Sequence, residues 1–320
     1  MKVLFTADVH IKLGQKNVPV DWSKNRYNLL WKEFERVQAN ADVFIIGGDV
    51  FDKLPNMEEL ECYFDMIAHC SIPTIIYSGN HEAVRKDTTF MSNLKLVTNK
   101  MNKNVIVIDD YYSDYGIEFV PYNKLKEFEK GQHPWPEGGD ILCTHVRGEI
   151  PPHVKPEVDL ALFDTWQVVL AGDLHSYENC QRNILYPGSP VTTSFHRDLV
   201  NTGIILLDTE TLEHEWLKLE VPQLIRKTVG VHDPKLPTPY HHTIYQVEGD
   251  MQELGELEDS DLIDRKVIKR ESDTALMLEN DMSLQQEVAE YLRYILALPE
   301  QTVEAVLKEL QGHVDKIEQV

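Results

Sequence analysis

Aspartate, asparagine and histidine residues follow five apolar segments of the chain, each at the point where a predicted strand ends. Three of these segments lie near the amino terminus, and two lie in the middle of the chain. The side chains that follow them are, in chain order, Asp8, His10, Asp49, Asn80, His81, His145, Asp173 and His175. Because ligand sites in open α/β sheets form beyond the carboxyl ends of the strands, we expect these side chains to meet in one place.

The types of side chain in this set indicate metal chemistry. Carboxylate, carboxamide and imidazole groups without a thiolate suit manganese, magnesium, iron or zinc. The set is too large for one ion, and it suits two ions about 4 Å apart that share a bridging carboxylate. Such a pair produces a hydroxide nucleophile and stabilises displacement at phosphorus. A lone aspartate or histidine at a strand end is usually an ordinary loop residue, so the combination carries the hypothesis.

Strand and helix patterns alternate in the first half of the chain. The predicted strands are KVLFTA (2–7), DVFIIG (42–47), TIIYSG (74–79) and NVIVID (104–109). Apolar residues recur between them at helical spacing, as in Leu30, Phe34 and Val37, and again in Leu60, Phe64 and Ile67. This alternation predicts βαβ units and a largely parallel sheet. Later segments are denser in strands, so we expect a second sheet that packs against the first.

The pattern changes after about residue 221. VPQLIRKTVGVHDPKLPTP contains four prolines and predicts a connector. A strand candidate, HTIYQVE (242–248), follows, and Ser283 with Gln286 predicts a capping box at the start of a helix. Pro299 predicts the start of another helix that runs to about Gly312. We therefore predict two domains: a larger α/β domain, 1–224, and a smaller α+β domain for capping or partner docking, 225–320.

Composition narrows the classes of protein. The chain of 320 residues is 42% hydrophobic and 26% charged, which is typical of globular proteins. It has no apolar run near the roughly 18 residues of a membrane span, and its four cysteines form no CxxC pair, so we expect a reduced, cytoplasmic protein that does not bind membranes. A net charge of −22 argues against unaided DNA binding, although residues 1–100 are nearly neutral.

Five short segments resemble the signatures of calcineurin-like metallophosphoesterases: ADVH, GGDVFD, GNHE, THVRGE and GDLH. In addition, YPGSPVTTSF (186–195) resembles the SbcD group of that family, the nuclease subunits of SbcC–SbcD-type repair complexes. The resemblance covers about residues 1–220. It implies an αββα sandwich of two sheets and a phosphodiester hydrolase that cuts DNA as an exonuclease or endonuclease in recombination, repair or replication. Together with the size of the chain, it suggests a phage-encoded recombination nuclease subunit that works in the host cytoplasm.

The same resemblance implies a role for each residue of the set. One metal ion would be held by Asp8, His10, Asp49 and His175. Asp49 would bridge to a second ion, whose other ligands would be Asn80, His145 and Asp173. His81 would orient the scissile phosphate or protonate the leaving oxygen, a role that suits histidine because a free imidazole gains and loses its proton near neutral pH. The implied cofactor is two Mn²⁺ ions, with Mg²⁺ as the alternative, and the implied partners are DNA, an SbcC-like ABC-type ATPase and a second copy of the chain.

Two positions depart from the family pattern. The last signature is normally Gly-His-x-His, and a histidine often lies where this chain has Asp52; here Asp173 takes the place of the first histidine of that signature. Three carboxylates against the four positive charges of two divalent ions leave one positive charge, where a histidine would leave two. We therefore expect weaker attraction for phosphate and a preference for hard, oxygen-binding ions.

Basic residues that follow the motifs are candidates for contact with DNA, because phosphate contacts need only charge near the path of the backbone. The candidates are Lys12, Lys53, Arg85, Lys86, Arg147, His196 and Arg197, with Lys16, Lys24 and Arg26 in the same regions.

Two other functions fit parts of the sequence. A phosphoprotein or small-molecule phosphatase is one alternative, because GNHE also occurs in serine/threonine phosphatases. However, DVFDK (49–53) lacks the Asp-Arg-Gly that those enzymes use to hold phosphate. The other alternative is a scaffold that has lost its metals. Asp52 and Asp173 allow that hypothesis, but each altered position still offers a metal ligand.

Overall fold

The computed structural model describes residues 1–85, 88–249, 251–258, 260, 262–267, 282–296 and 298–317. Its strands are β1 (Lys2–Thr6), β2 (Val43–Gly47), β3 (Thr74–Tyr77), β4 (Ala83–Arg85), β5 (Thr88–Thr89), β6 (Val105–Ile108), β7 (Tyr112–Asp114), β8 (Ile117–Val120), β9 (Gly139–His145), β10 (Trp166–Gly172), β11 (Ile184–Leu185), β12 (Gly203–Asp208), β13 (His214–Lys218), β14 (Leu224–Gly230), β15 (His242–Gly249) and β16 (Ile263–Val267). Its α-helices are α1 (Val20–Gln38), α2 (Met57–Ala68), α3 (Met91–Met101), α4 (Leu125–Glu129), α5 (Met251–Gly255), α6 (Leu284–Glu290) and α7 (Glu300–Ile317).

Six strands form the first sheet, in the order β13-β12-β1-β2-β3-β6. The neighbours from β1 to β6 pair in parallel, and α1, α2 and α3 lie in the connections between them, as the alternating patterns predict. β12 and β13 extend the sheet beyond β1 in antiparallel fashion. Because β1, β2 and β3 are parallel neighbours, the residues that follow them lie at the same edge of the sheet.

Five strands form the second sheet, in the order β11-β10-β9-β8-β7. The pairs from β8 to β11 are parallel, and β7 is antiparallel to β8. The two sheets pack face to face, since Phe5 and Ile45 from the first share a buried cluster with Phe119, Cys143 and Leu170 from the second. β2 is therefore buried along its whole length, as expected for a strand covered on both faces.

Helices and loops cover the outer faces of the two sheets. Trp31 and Phe34 of α1 pack with Phe44 on the outer face of the first sheet. Phe128 of α4 packs in the cluster on the outer face of the second sheet, together with Phe163. The layers confirm the predicted αββα sandwich, in which α1 to α3 cover one side and a short helix with loops covers the other.

The segment after residue 221 contains a strand that the sequence did not predict. Leu224–Gly230 forms β14, which pairs in parallel with β15 along seven residues, so the predicted connector is wrong for this stretch. The cause is burial: Leu224 is fully buried and Ile225 is 9% exposed, although charged residues follow them directly. β14, β15 and β16 form a three-stranded sheet.

The chain divides into two compact units. The first comprises Met1–Glu248 and Leu257–Lys266, and the second comprises Gly249–Glu256 and Val267–Val320. Within the first unit, the main chain of His196 pairs with Ile225 of β14. The domain division at 224/225 stays a prediction.

Helix capping in the second unit follows the sequence pattern. Ser283 and Gln286 form the predicted capping box at the start of α6, and α7 begins directly after Pro299. Among the helices of the described residues, none is long and apolar enough to cross a membrane.

Candidate metal centre

The residues that follow β1, β2 and β10 form the first part of the site. His10 Nε2 lies 4.0 Å from Asp8 Oδ1 and 3.7 Å from Asp49 Oδ2. His175 Nε2 lies 3.9 Å from Asp8 Oδ1 and 3.1 Å from His10 Nε2. Candidate ligand atoms of Asp8, His10 and His175 all lie within 4.8 Å of one another. The structure therefore brings together four residues that the sequence places on three different strand ends.

Residues at the carboxyl ends of β3, β9 and β10 form the second part of the site. His145 Nε2 lies 3.5 Å from Asp49 Oδ2 and 3.9 Å from Asp173 Oδ1. It also lies 3.0 Å from the carboxamide oxygen of Asn80. Asp49 contacts both parts of the site, as expected of a bridging carboxylate. The metal assignments of the individual residues stay predictions.

The backbone at four of these residues is strained. The φ angles are 57° at Asp8, 46° at His10, 50° at Asp49 and 97° at Asp173, in the left-handed region that residues other than glycine rarely adopt. Such positions cost about 1–3 kcal/mol each and persist where surrounding contacts fix them. Here the Asp8 amide donates to the carbonyl of Gly48 over 3.0 Å, and the Asp173 amide donates to the Asp8 carboxylate over 3.1 Å. Half of the eight non-glycine residues with positive φ in the described part of the chain are therefore candidate ligands.

Two glycines allow the strand ends to approach each other. Gly48 has a φ of +91°, which favours glycine. At Gly79 the reason is space, because a Cβ atom there would lie 2.2 Å from Asp49 Oδ1 and 2.7 Å from His145 Cε1. A side chain at Gly79 would therefore displace two candidate ligands.

Hydrogen bonds to carbonyl groups orient two of the imidazoles. His145 Nδ1 lies 2.9 Å from the carbonyl of Gly47, so Nδ1–H donates there and Nε2 faces the carboxylates. His81 Nδ1 lies 2.6 Å from the carbonyl of Asp52 in the same way. The main-chain amide of His81 donates to Asp49 Oδ1 over 2.9 Å, which leaves the ring at the mouth of the site with 38% of the side chain exposed.

Burial and charge shift the pKa values of the clustered groups. Burial raises the pKa of Asp8 well above its usual value and lowers that of His10 to about 3. Burial opposes ionisation of both Asp49 and His145, but the attraction between them outweighs it. As a result the pKa of Asp49 falls, and that of His145 rises well above its usual value. The carboxylate at the centre of the cluster is therefore held in its charged form.

The donor set fits divalent cations. Candidate ligand atoms lie close together: the two Nε2 atoms of His10 and His175 are 3.1 Å apart, and the Asn80 amide oxygen lies 3.0 Å from His145 Nε2. Carboxylate, carboxamide and imidazole ligands without a thiolate suit Mn²⁺ and Mg²⁺.

Glu82, the last residue of GNHE, is a supporting residue that the sequence reasoning missed. Its carboxylate is fully buried and accepts from the amides of Gly79, Phe51 and Asp49 over 2.7, 2.9 and 3.0 Å. Burial, with the charge of Asp49, raises its pKa to about 7. Glu82 thus holds together the two loops that carry Asp49 and Asn80. The only signal was an acidic residue directly after the Asn-His pair.

The YPGSPVTTSF segment supports the site through its hydroxyl groups. Ser189 Oγ donates to the carbonyl of Asp8 over 2.6 Å, and Thr193 Oγ1 lies 3.3 Å from His175 Nδ1. A cavity of about 520 Å³ lies between this segment, His175 and Trp216. The segment therefore fixes one strand end and one candidate ligand, and it forms a wall of the space beside them.

The predicted DNA contacts differ in their surroundings. Three are exposed: Lys53, Arg85 and Arg197. Four form contacts within the protein: Lys12 with Asp52 (2.8 Å), Arg147 with Asp173 (3.0 Å), Lys24 with Glu58 (3.5 Å) and Lys16 with Asp264 (4.0 Å). His196 is half-buried, and Lys86 lies outside the described residues.

Arg26 was wrongly included in that set. It is only 2% exposed, and its Nη1 donates to the carbonyl of Thr192 over 2.9 Å, so it is a structural residue. Its position in α1 faces the protein rather than solvent. The other DNA contacts stay predictions.

Sequence comparison identifies the class of protein that this fold and this cluster define. Residues 1–177 match the family model described as calcineurin-like phosphoesterase. The chain therefore belongs to the calcineurin-like phosphoesterase family, which confirms the resemblance of the five motifs.

Viral proteins are among the relatives. The chain is 38% identical over 326 aligned residues to a protein of Escherichia phage T5 named "Probable exonuclease subunit 1", and the alignment covers 98% of this chain and 99% of that protein. Two more distant relatives are named as phosphoesterases. They are 244L of Invertebrate iridescent virus 6 (22% identical, 74% of this chain and 84% of that protein) and 078R of Invertebrate iridescent virus 3 (21% identical, 73% and 70%).

Proposed function

We propose that this protein is a metal-dependent DNA nuclease that hydrolyses phosphodiester bonds with two divalent ions. The observation that carries the proposal is the 38% identity, over 98% of the chain, to a phage protein named as an exonuclease subunit. The family and the oxygen and nitrogen donor set support hydrolysis of a phosphate ester. We assign Mn²⁺ as the working ion, with Mg²⁺ as the alternative.

Two groups of residues would hold the ions. Asp8, His10 and His175 would hold one ion and share Asp49 with a second, whose other ligands would be Asn80, His145 and Asp173. When bound, such ions neutralise charge on the phosphate and activate water as a nucleophile. The contribution of Glu82 is to fix the main chain around Asp49 through three amide hydrogen bonds.

His81 is the residue that we assign to the reacting phosphate. Its ring lies at the mouth of the site, with Nε2 3.8 Å from Asp49 Oδ2. Because Nδ1–H donates to the Asp52 carbonyl, protonation of the ring adds a donor at Nε2, on the side of the cluster. In that form His81 would orient the phosphate and transfer a proton to the leaving oxygen.

We further propose that the chain works as one subunit of a complex with an SbcC-like ATPase. Its relative in phage T5 is named as a subunit. A net charge of −22 makes the chain a poor DNA binder by itself. A partner with a basic surface would therefore supply the contacts with the DNA phosphates. Residues 225–320 are the region that we assign to capping or partner docking.

The decisive experiment compares substrates. Purified protein with Mn²⁺ is incubated with linear duplex DNA and with para-nitrophenyl phosphate, in the presence and absence of a co-purified ATPase subunit and of ATP. We expect DNA cleavage that EDTA abolishes. Efficient hydrolysis of para-nitrophenyl phosphate without DNA cleavage, even with the partner, would instead identify a phosphatase.

A further inference from the structure

Two residues that the sequence assigned to separate roles form one ion pair at the edge of the site. Arg147 Nε lies 3.0 Å from Asp173 Oδ2, and its Nη2 lies 3.4 Å from Asp173 Oδ1. Asp173 follows β10 and its side chain is only 7% exposed, whereas Arg147 follows the neighbouring strand β9 and is 45% exposed. The guanidinium therefore lies at the surface of the site, while its anchor lies inside.

The two oxygens of Asp173 face different neighbours. Oδ2 accepts from Arg147 Nε, whereas Oδ1 lies between Arg147 Nη2, at 3.4 Å, and His145 Nε2, at 3.9 Å, on the side of the candidate ligands. A carboxylate therefore serves both sides at once, because it accepts on both oxygens. An imidazole that binds a metal through one nitrogen carries N–H on the other, which repels a guanidinium. The aspartate and the arginine thus belong together chemically.

The charge balance of the site also indicates that Arg147 and Asp173 act together. Asp8, Asp49 and Asp173 bring three negative charges to a site that must attract a phosphate. Arg147 returns one positive charge beside Asp173. Arginine is always protonated, and its planar fork matches the geometry of phosphate oxygens. The contacts with Asp173 occupy Nε and Nη2, so Nη1 lies outside this pair.

We propose that Arg147 is a phosphate-binding residue of this site and that Asp173 positions it, in addition to facing the metal ligands. The proposal rests on the proposed function, and it adds a protein cation that contacts the substrate phosphate on the β9–β10 side of the centre. Arg147 therefore contacts the phosphate, diester or monoester, that lies next to the ions. It is not one of several equivalent basic residues that follow the DNA backbone.

The test measures the binding of thymidine 5′-monophosphate to the full-length, Mn²⁺-loaded protein by calorimetry, alongside the affinity for Mn²⁺ itself. The variants are R147Q and R147K. The matched control is R182Q, because Arg182 forms the same two-point contact with Asp164, is 44% exposed, and pairs at the amino end of β10 rather than at the site.

We expect R147Q to weaken nucleotide binding about 10-fold or more, since it removes charged hydrogen bonds, while Mn²⁺ affinity changes by less than about threefold. R147K should fall between R147Q and the wild type because lysine keeps the charge but not the fork. R182Q should leave both affinities unchanged. The proposal is overturned if R147Q binds the nucleotide like the wild type, or if it loses Mn²⁺ and nucleotide to the same extent.

A second arm tests the positioning role of Asp173. In a D173H background at saturating Mn²⁺, we expect R147Q to have less than about a threefold effect, because the imidazole no longer anchors the guanidinium. An undiminished effect would contradict the positioning role. Absence of DNA cleavage by the wild type, even with the ATPase partner, would refute the nuclease but leave this binding result standing.

Discussion

The floor and the rim of the candidate metal centre differ in burial and in the groups that surround them. We define the floor as Asp8, His10, Asp49, His145 and Glu82, and the rim as His81, Arg147, Asp173 and His175. The side chains of the four candidate ligands on the floor are at most 3% exposed, whereas His81, His175 and Arg147 on the rim are 38%, 42% and 45% exposed.

This difference in exposure predicts different roles for the floor and the rim. Floor residues contact one another and the main chain, so their substitution changes the geometry of the whole cluster. Three rim residues, His81, Arg147 and His175, keep part of their surface open to a substrate. We therefore expect changes on the floor to act first on metal affinity, and changes at His81 and Arg147, the rim residues that are not candidate ligands, to act on substrate binding or on the chemical step. The R147Q experiment tests this expectation for one rim residue, because it measures nucleotide binding.

The largest effect is expected for His81→Gln on the rim. This change removes a proton donor at the mouth of the site, and general acid catalysis contributes roughly 10²–10⁴-fold, so kcat for DNA cleavage should fall by about that range. Mn²⁺ affinity should remain as in the wild type, because the His81 ring is exposed and its main-chain amide is retained. Kinetics and metal titration of the same preparation measure both. Loss of Mn²⁺ binding in this variant would erase the distinction between rim and floor.

Glu82→Gln should have an intermediate effect, and it should act on metal affinity. The variant retains the shape of the side chain but weakens the hydrogen bonds that hold the Asp49 and Gly79 amides, and supporting residues of this kind contribute roughly 10–100-fold to metal affinity.

The matched control for Glu82 is Glu59→Gln. Glu59 is also buried and accepts from main-chain amides, those of Leu13 and Asn56, but it belongs to the cap of α2. We expect both variants to lower the melting temperature and only E82Q to weaken Mn²⁺ binding. Equal Mn²⁺ affinities in the two variants would show that Glu82 is an ordinary buried glutamate.

The smallest effect is a pH dependence that comes from the floor. Burial favours neutral His145, but the facing carboxylates of Asp49 and Asp8 outweigh it and raise the pKa of His145 above its usual value. Binding of a metal at Nε2 must displace this proton, so affinity should rise with pH, by up to about 10-fold per pH unit for each proton released. Calorimetry in buffers of different ionisation enthalpy counts the protons. A constant affinity with no proton release would contradict the direction of this shift.

The sequence predicted those parts of the site that depend on local pattern. Apolar runs that end in Asp, Asn or His marked the strand ends after β1, β2, β3, β9 and β10, and the alternation of strands and helices predicted the parallel order. The same local reasoning failed for β14, because prolines and charged residues around Leu224 concealed a buried strand. It also failed for Arg26, whose side chain faces inward from α1.

Contacts between distant segments were decided by the tertiary structure. His145 hydrogen-bonds to the carbonyl of Gly47, 98 residues away, and Asp173 contacts both Asp8 and Arg147. Glu82 binds main-chain amides, which carry no sequence signal.

Residue types and their spacing along single strands thus determined which groups could bind a metal, because backbone geometry is local. The packing of the two sheets decided which of these groups lie on the floor and which lie on the rim. It also brought Asp173 and Arg147 together as a pair. That packing brings strand ends together across long loops, and no local pattern records it.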